Sequence, residues 1–335
     1  MIRPRLLLKW LLFVLVLAYV CHHGYRLWSQ SDVRQRPLTA ANVGWLIAAG
    51  CVYIAAWLPS VWFWRELMRA VGGRVAFNDA ARAYYCGHLG KYIPGKAMVL
   101  VIRAALVKDR GCSALLAAVT ASYETLVMMG TGVALGAALA PLLFREWLAE
   151  HAAAIGWSPT VQTLFATAVM TAVVAGSLPL VSRVLTWIAV KAVPDSGLLN
   201  FQQIAIPTRL IGAGCVAFVV SWGLQGLSLG MIVHAMGETT FQVRNLPLWT
   251  GATALSTSLG FAVLFAPGGL GVREGILLGI LSSQPGVSPQ TAVAVTILSR
   301  VVSFVAELVI SGVLFGFVRR PTGNLPGSGP NIGEL

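Results

Sequence analysis

Apolar runs long enough to cross a bilayer recur from one end of this chain to the other, and no polar stretch of domain length separates them. A bilayer core takes about twenty apolar residues of helix, and backbone polar groups in lipid must be satisfied within the segment. That combination predicts an all-α fold, a polytopic transmembrane helix bundle. Composition agrees: mean hydropathy is +0.76 and 11% of residues are charged, against about a quarter in a soluble domain. On a soluble chain the net charge of +12 would suggest nucleic acid. Here most Lys and Arg flank apolar segments, as topology and anionic headgroups require. With no zinc-finger spacing, RNP-like motif or aromatic-interleaved basic stripe, nucleic acid is set aside as a partner.

Spans are expected at about 11–20, 43–64, 113–144, 160–190 with a kink at Pro179, 210–236, 248–265 and 289–318. The first follows Arg3, Arg5 and Lys9, but its flank Cys21-His22-His23-Gly24 has no small-x-small cleavage site. It therefore reads as an uncleaved span rather than a signal peptide. Trp57, Trp62, Phe63 and Trp64 read as an aromatic belt at headgroup level. Arg65, Arg69, Arg74 and Arg82, with the basic N-terminus and Arg319-Arg320, place both termini in the cytoplasm. Residues 1–320 read as one transmembrane domain, and the Pro-, Gly- and Asn-rich stretch 321–335 as a disordered tail.

Two stretches of the chain repeat one another. The first runs Gly90-Lys91-Tyr92-Ile93-Pro94-Gly95-Lys96, then an apolar run, then Ala118-Val119-Thr120 and Glu124. The second runs Ala266-Pro267-Gly268-Gly269-Leu270-Gly271-Val272-Arg273-Glu274, then an apolar run, then Ala294-Val295-Thr296 and Arg300. In each, a Pro-Gly break precedes a helix too short to span, a serine (Ser113, Ser288) opens a long apolar helix, and a charge follows the shared threonine by four residues. Broken hydrophobic segments at matching positions of two halves point to a transporter's binding site. The expectation is two broken or re-entrant helical units, about 83–143 and 257–318, superposable and related by an internal repeat, with Pro94 and Pro267 facing each other across a polar cavity.

Charged residues inside apolar helices cost about 2.5–3.5 kcal/mol each on insertion scales and mark functional sites by default. Thr296, Arg300, Ser303, Glu307 and Ser311 share one helix face, and Thr120, Glu124, Met128 and Thr131 share another. Arg300 could pair with Glu307 or with Glu124 merely to hold helices together. The helix N-termini after the breaks attract anions, and Lys91, Lys96 and Arg103 lie around the first and Arg273 near the second. Together these describe a pocket for a phosphate. The bland alternatives are that Lys91 and Lys96 snorkel to the interface and that Arg273-Glu274 is a local charge pair at a helix start. Ser221, Gln225 and Ser228, and Thr253, Ser256 and Gly260, read as packing faces.

Catalytic constellations are missing from the sequence: there is no Walker A, G-x-S-x-G or H-x-x-E-H. The scattered Cys21, Cys51, Cys86, Cys112 and Cys215 read as small core residues, and neither they nor the five histidines have metal-site spacing. No cofactor, no metal and no enzymatic activity are expected.

With GKYIPGK in the first half, and PGGLGVREG followed by the helix from Ser299-Arg300 to Glu307 in the second, the chain resembles the lysylphosphatidylglycerol synthase transmembrane-region family of flippase-like integral membrane proteins. The resemblance covers about residues 7–318. It implies a bundle with two broken elements that moves a lipid across the membrane. The matching positions are Lys91, Pro94, Gly95, Lys96, Arg103 and Glu124, then Pro267, Gly268, Gly269, Gly271, Arg273, Glu274, Arg300 and Glu307. Many relatives carry Arg directly after the first-half glutamate, where this chain has Thr125. Residues 319–335 alone follow the last span, so a stand-alone member without the soluble synthase domain is expected.

The expected function is a lipid flippase handling an anionic, phosphate-containing or polyprenyl-linked lipid in a bacterial cytoplasmic membrane. Lys91, Lys96, Arg103, Glu124, Arg273, Glu274, Arg300 and Glu307 are its expected substrate-binding residues, with Glu124 or Glu307 available to couple protons. A second reading is a non-catalytic scaffold for a lipid or cell-envelope biosynthetic enzyme. A membrane-embedded transferase would have to use Glu124 or Glu307 as its base. The sequence names neither the lipid nor the oligomeric state.

Overall fold

The structure is a computed structural model, and it describes residues 40–92, 97–108, 110–144, 206–237, 241–262 and 271–317, with Gly269 and single positions at 158, 161, 165 and 168. The spans expected at 11–20 and 160–190 and the tail 321–335 lie outside the described residues. Every regular element among the described residues is helical: α1 (Ala40–Ala56), α2 (Leu58–Ala70), α3 (Phe77–His88), α4 (Ala97–Val107), α5 (Ala114–Ala138), α6 (Ala140–Leu143), α7 (Thr208–Ala235), α8 (Leu246–Ala262), α9 (Val272–Ser282) and α10 (Pro289–Phe317). Short 3₁₀ turns at Leu89–Tyr92 and Val243–Asn245 complete the set. Among the described residues, four stretches are long and apolar enough to cross a membrane: 42–70, 114–138, 208–235 and 289–316.

Helix α7 is the axis of the bundle, packing on α1, α2, α5, α8 and α10. Glycines let it approach its neighbours: a Cβ on Gly226 would stand 2.5 Å from Thr250, and one on Gly230 would stand 2.1 Å from the Trp249 ring. Small residues that bring backbones together are the usual means of packing helices in lipid. Ser221 and Ser228 on the same helix donate to the carbonyls of Ala56 and Ala49, at 2.6 and 2.9 Å. Two apolar clusters flank this axis. One joins α1–α5 with Phe218 and Trp222, and the other joins Leu229, Ile232 and Val233 with α8, α9 and α10. Large apolar side chains such as Val216, Val220, Phe304, Leu308 and Phe315 point outward, while Ser299, Ser303, Glu307 and Ser311 of α10 are buried. Polar-in and apolar-out is the distribution a lipid solvent imposes.

The aromatic group at residues 57–64 does not form an interfacial belt. Trp57, Phe63 and Trp64 are buried and Trp62 is the exposed member. Trp57, Val61 and Trp64 recur at helical spacing and so share one inward face. The Trp64 indole donates to the Thr120 hydroxyl of α5 at 3.2 Å. This region is also two helices, because the chain breaks at Trp57–Leu58, with Pro59 in the first turn of α2. Nor do the cysteines share one role: Cys112 is buried, whereas Cys51 is exposed on the outer face of α1.

Both broken units fold as helical hairpins. In the first, α3 and its 3₁₀ extension turn back through α4, which packs along α3. The base is closed by the Arg74 amide donating to the Gly111 carbonyl at 2.8 Å and by Arg110 on Asp79 at 2.7 Å. Near the tip, Gly87 and Gly90 leave room for α4, since a Cβ at either would lie 2.5 or 2.8 Å from Arg103 or Val99. The second hairpin is α8 and α9. Gly260 faces Arg273 near its tip, and Gln284 donates to the Leu143 carbonyl at its base, at 3.3 Å. After each hairpin a serine caps a long helix: Ser113 accepts from the Leu116 amide and Ser288 from the Thr291 amide, at 3.3 and 3.2 Å. The packing is reciprocal, with α5 lying on α8 of the second unit and α10 on α3 of the first.

Candidate functional site

Both hairpins line one cavity of about 410 Å³. Hairpin one contributes Tyr84, His88, Lys91, Val99, Leu100 and Arg103, and α5 contributes Ser122, Glu124, Thr125, Leu126, Met128 and Met129. Hairpin two contributes Thr257, Phe261, Gly269 and Arg273. Tyr53 of α1, Trp57 at the α1–α2 junction, Gln225 of α7 and Arg300 of α10 complete the wall. Glu124, Gln225 and Arg300 each lie well inside a spanning helix, so the cavity sits at mid-height of those helices.

Three ion pairs order its charges. Arg103 donates to Glu124 at 2.9 Å, with both side chains almost fully buried. Lys91 donates to Glu307 at 2.5 Å, and Arg300 donates through Nε to Glu274. The sequence had offered Arg300 with Glu307 or Glu124; the hairpins instead deliver a nearer partner to each. Glu124 and Arg300 each follow the shared threonine by four residues, and each pairs with the opposite charge on the second limb of its own hairpin, with signs inverted between the units. Thr125, beside Glu124, donates to the Ala121 carbonyl at 2.9 Å, and Arg103 of α4 supplies Glu124 with its cation.

Tyrosines complete both carboxylate clusters. Glu124 accepts from Tyr84 at 2.9 Å, and Glu307 accepts from Tyr53 and Tyr92, at 2.6 and 3.1 Å. The Arg103 guanidinium lies 3.7 Å from the Tyr84 ring centroid, a cation–π contact that further offsets its burial. Sequence reasoning missed these tyrosines, His88 and the cavity position of Gln225. The i, i+4, i+7 spacing of Tyr84, His88 and Lys91 was the available signal.

Of the expected residues, Lys91, Arg103, Glu124, Arg273 and Arg300 line the cavity. Glu274 and Glu307 stand behind them as carboxylate partners of Arg300 and Lys91. Lys96, Pro94, Gly95, Pro267 and Gly268 lie outside the described residues. Gly269 and Gly271 have φ of +71° and +87°, a backbone region that glycine adopts without strain. A Cβ on Gly269 would meet the Gly260 carbonyl oxygen at 2.8 Å. The Glu274 carboxylate itself takes the Gly271 amide at the start of α9, at 2.7 Å. The N-terminus of α9 is thus occupied by the chain's own anion, so anion attraction at this end passes to the side chains. Arg273 lines the cavity with no carboxylate within ion-pair distance among the described residues. Among the described residues, four cations (Lys91, Arg103, Arg273, Arg300) stand against three carboxylates (Glu124, Glu274, Glu307) in this cluster.

Fold and site define a polytopic helical membrane protein with a cavity between two helical hairpins, lined by Lys91, Arg103, Arg273 and Arg300. The chain belongs to the family described as the lysylphosphatidylglycerol synthase TM region, which it matches over residues 6–311. The family links it to lipid handling at the membrane. No curated protein matches the chain.

Proposed function

We propose that this protein is a flippase-type translocator of an anionic, phosphate-bearing lipid, and that its activity is transport rather than catalysis. The observation that carries the reading is the convergence of Lys91, Arg103, Arg273 and Arg300 on one cavity at mid-height of the spanning helices, with one cation in excess of carboxylates among the described residues. Buried charge of this kind is costly and marks substrate paths. The two hairpins act as re-entrant elements of a pseudo-twofold pair, supported by their shared order and reciprocal packing on α5 and α10. Binding of a headgroup phosphate at Arg273 loosens the Lys91–Glu307 and Arg300–Glu274 ties between hairpins and α10, and the cavity opens to alternate sides. We place the protein in a bacterial cytoplasmic membrane with both termini in the cytoplasm.

The test is reconstitution in liposomes, with fluorescent phosphatidylglycerol or a polyprenyl phosphate followed by an external quencher. Wild type should scramble or flip the probe above protein-free vesicles. Arg273→Gln should lower the rate at least tenfold, equivalent to about 1.4 kcal/mol of lost stabilisation. Rates equal to empty liposomes for every lipid tried would overturn transport and leave the scaffold reading in its place.

A further inference from the structure

The two hairpins approach the cavity from opposite ends of the bundle. Hairpin one is based where Arg110 meets Asp79 and the Arg74 amide meets the Gly111 carbonyl. Hairpin two is based where Gln284 donates to the Leu143 carbonyl. Helix α7 runs antiparallel to α1 and α2, with Gly214 against Phe63 and the His234 ring 4.7 Å from that of Trp45. Its N-terminus therefore lies at the first end and its C-terminus at the second. Cations divide unequally between these ends. Arg65, Arg69, Arg74, Lys108, Arg110 and Arg209 lie at the end where hairpin one is based, whereas Arg244 is the cation at the other end among the described residues. Lysine and arginine at the ends of spans are held on the cytoplasmic side, so hairpin one is rooted in the cytoplasmic face.

Helix α10 joins the two ends and carries a tie to each hairpin. It starts at Pro289, just after the base of hairpin two. Near its other end Ser311 donates to the Tyr85 carbonyl at 3.0 Å, and the Phe315 ring lies 5.3 Å from the Arg82 guanidinium. Arg300 and Glu307 are seven residues apart, about 10 Å along the helix. The Glu274–Arg300 pair thus stands toward the base of hairpin two, and the Lys91–Glu307 pair toward the base of hairpin one. Tyr53 and Tyr92 reinforce the second pair by donating to Glu307, and the Tyr92 ring meets Phe304 edge-on at 5.0 Å. Among the described residues neither hairpin packs extensively on the other. One can therefore move without carrying its counterpart.

We infer that the two ties are gates of opposite sidedness: Lys91–Glu307 closes the cavity to the cytoplasm, and Glu274–Arg300 closes it to the other side of the membrane. This deepens the transport reading above, but it concerns access alone and is measured without cargo. Loss of one gate frees one hairpin and admits water from the side on which that hairpin is rooted. Ties that only held the bundle together would behave differently, since losing either would loosen both sides.

The experiment uses the full chain with its native cysteines replaced and a single Ser122→Cys substitution, on the α5 wall of the cavity and in neither tie. A membrane-impermeant sulfonated maleimide is applied to right-side-out and inside-out membrane vesicles. Each pair is removed as a whole, because a lone buried charge destabilises more than the loss of both. Lys91→Met with Glu307→Leu should speed labelling at position 122 about tenfold in inside-out vesicles and leave it within about twofold in right-side-out ones. Glu274→Leu with Arg300→Met should give the reverse pattern. The milder Lys91→Gln and Glu274→Gln should shift labelling in the same two directions. Lys108→Cys, exposed at the base of hairpin one, should label in inside-out vesicles and fixes the orientation. Gains from the same side for both pairs, gains from both sides for either, or no gain for either would overturn the gates. Labelling of Lys108→Cys in right-side-out vesicles would overturn their assignment to sides. Sided gates in a protein that moves no lipid in liposomes would leave this inference standing and bring down the anionic-lipid reading alone.

Discussion

At the residue scale, each buried carboxylate is held by a cation and at least one tyrosine: Glu124 by Arg103 and Tyr84, Glu307 by Lys91, Tyr53 and Tyr92. In a low-dielectric interior the pair matters less for its own strength than for what happens when half is removed. Removing one partner of a buried pair leaves an uncompensated charge and costs about 3–5 kcal/mol, whereas replacing both with apolar groups is often neutral. Arg103→Met should therefore lower the thermal midpoint in detergent sharply, and Arg103→Met with Glu124→Leu should recover most of the loss. Equal destabilisation by the single and double variants would show that Glu124 does not depend on Arg103. The charges themselves were legible in the sequence, because Glu or Arg amid apolar residues has few innocent explanations. Their partners were not. Arg300 reaches Glu274 only because the second hairpin folds back beside α10, and Tyr53 reaches Glu307 across 254 residues of chain.

At the element scale, the sequence announced breaks, caps and long helices, since proline, glycine and serine act on their own backbone. Ser113 caps α5 and α10 begins at Pro289, as their spacing indicated. What escaped was the direction in which each element faces. The tryptophans at 57–64 looked interfacial because composition reports polarity, and only the packing of α2 on α5 and α7 shows that three of the four aromatics are buried. Glycines of α7 divide in the same way. Gly226 and Gly223 are alike in sequence, yet a Cβ at Gly226 would lie 2.5 Å from the Thr250 amide nitrogen and one at Gly223 would touch nothing within 4 Å. Gly226→Ala should force α7 and α8 apart and cost about 1–3 kcal/mol, as overpacking does. Gly223→Ala, measured by the same thermal unfolding, should be neutral or slightly stabilising. Similar losses for both would mean that α7 and α8 are not in close contact at Thr250.

At the scale of the whole molecule, α10 is, among the described residues, the long helix tied by ion pairs to both hairpins, through Glu307 to Lys91 and through Arg300 to Glu274. It also rests on α1 and on the central α7. Alternating exposure of the cavity requires one of these attachments to give while the rest holds. On the transport reading proposed above, the salt bridges are the ones to give, because a headgroup phosphate would compete for their cations. The α1–α10 contact then becomes the place to stop the motion. A Cβ built on Gly50 would lie 3.8 Å from the Ala306 Cβ, the mean separation found in disulfides. In a background with the native cysteines replaced, Gly50→Cys with Ala306→Cys should cross-link on oxidation and pin α10 to α1. The locked protein should retain lipid binding in detergent but lose transport in liposomes, and reduction should restore it. Full transport by the cross-linked form would show that α1 and α10 move as one body, and would shift the moving surface to the hairpin tips alone.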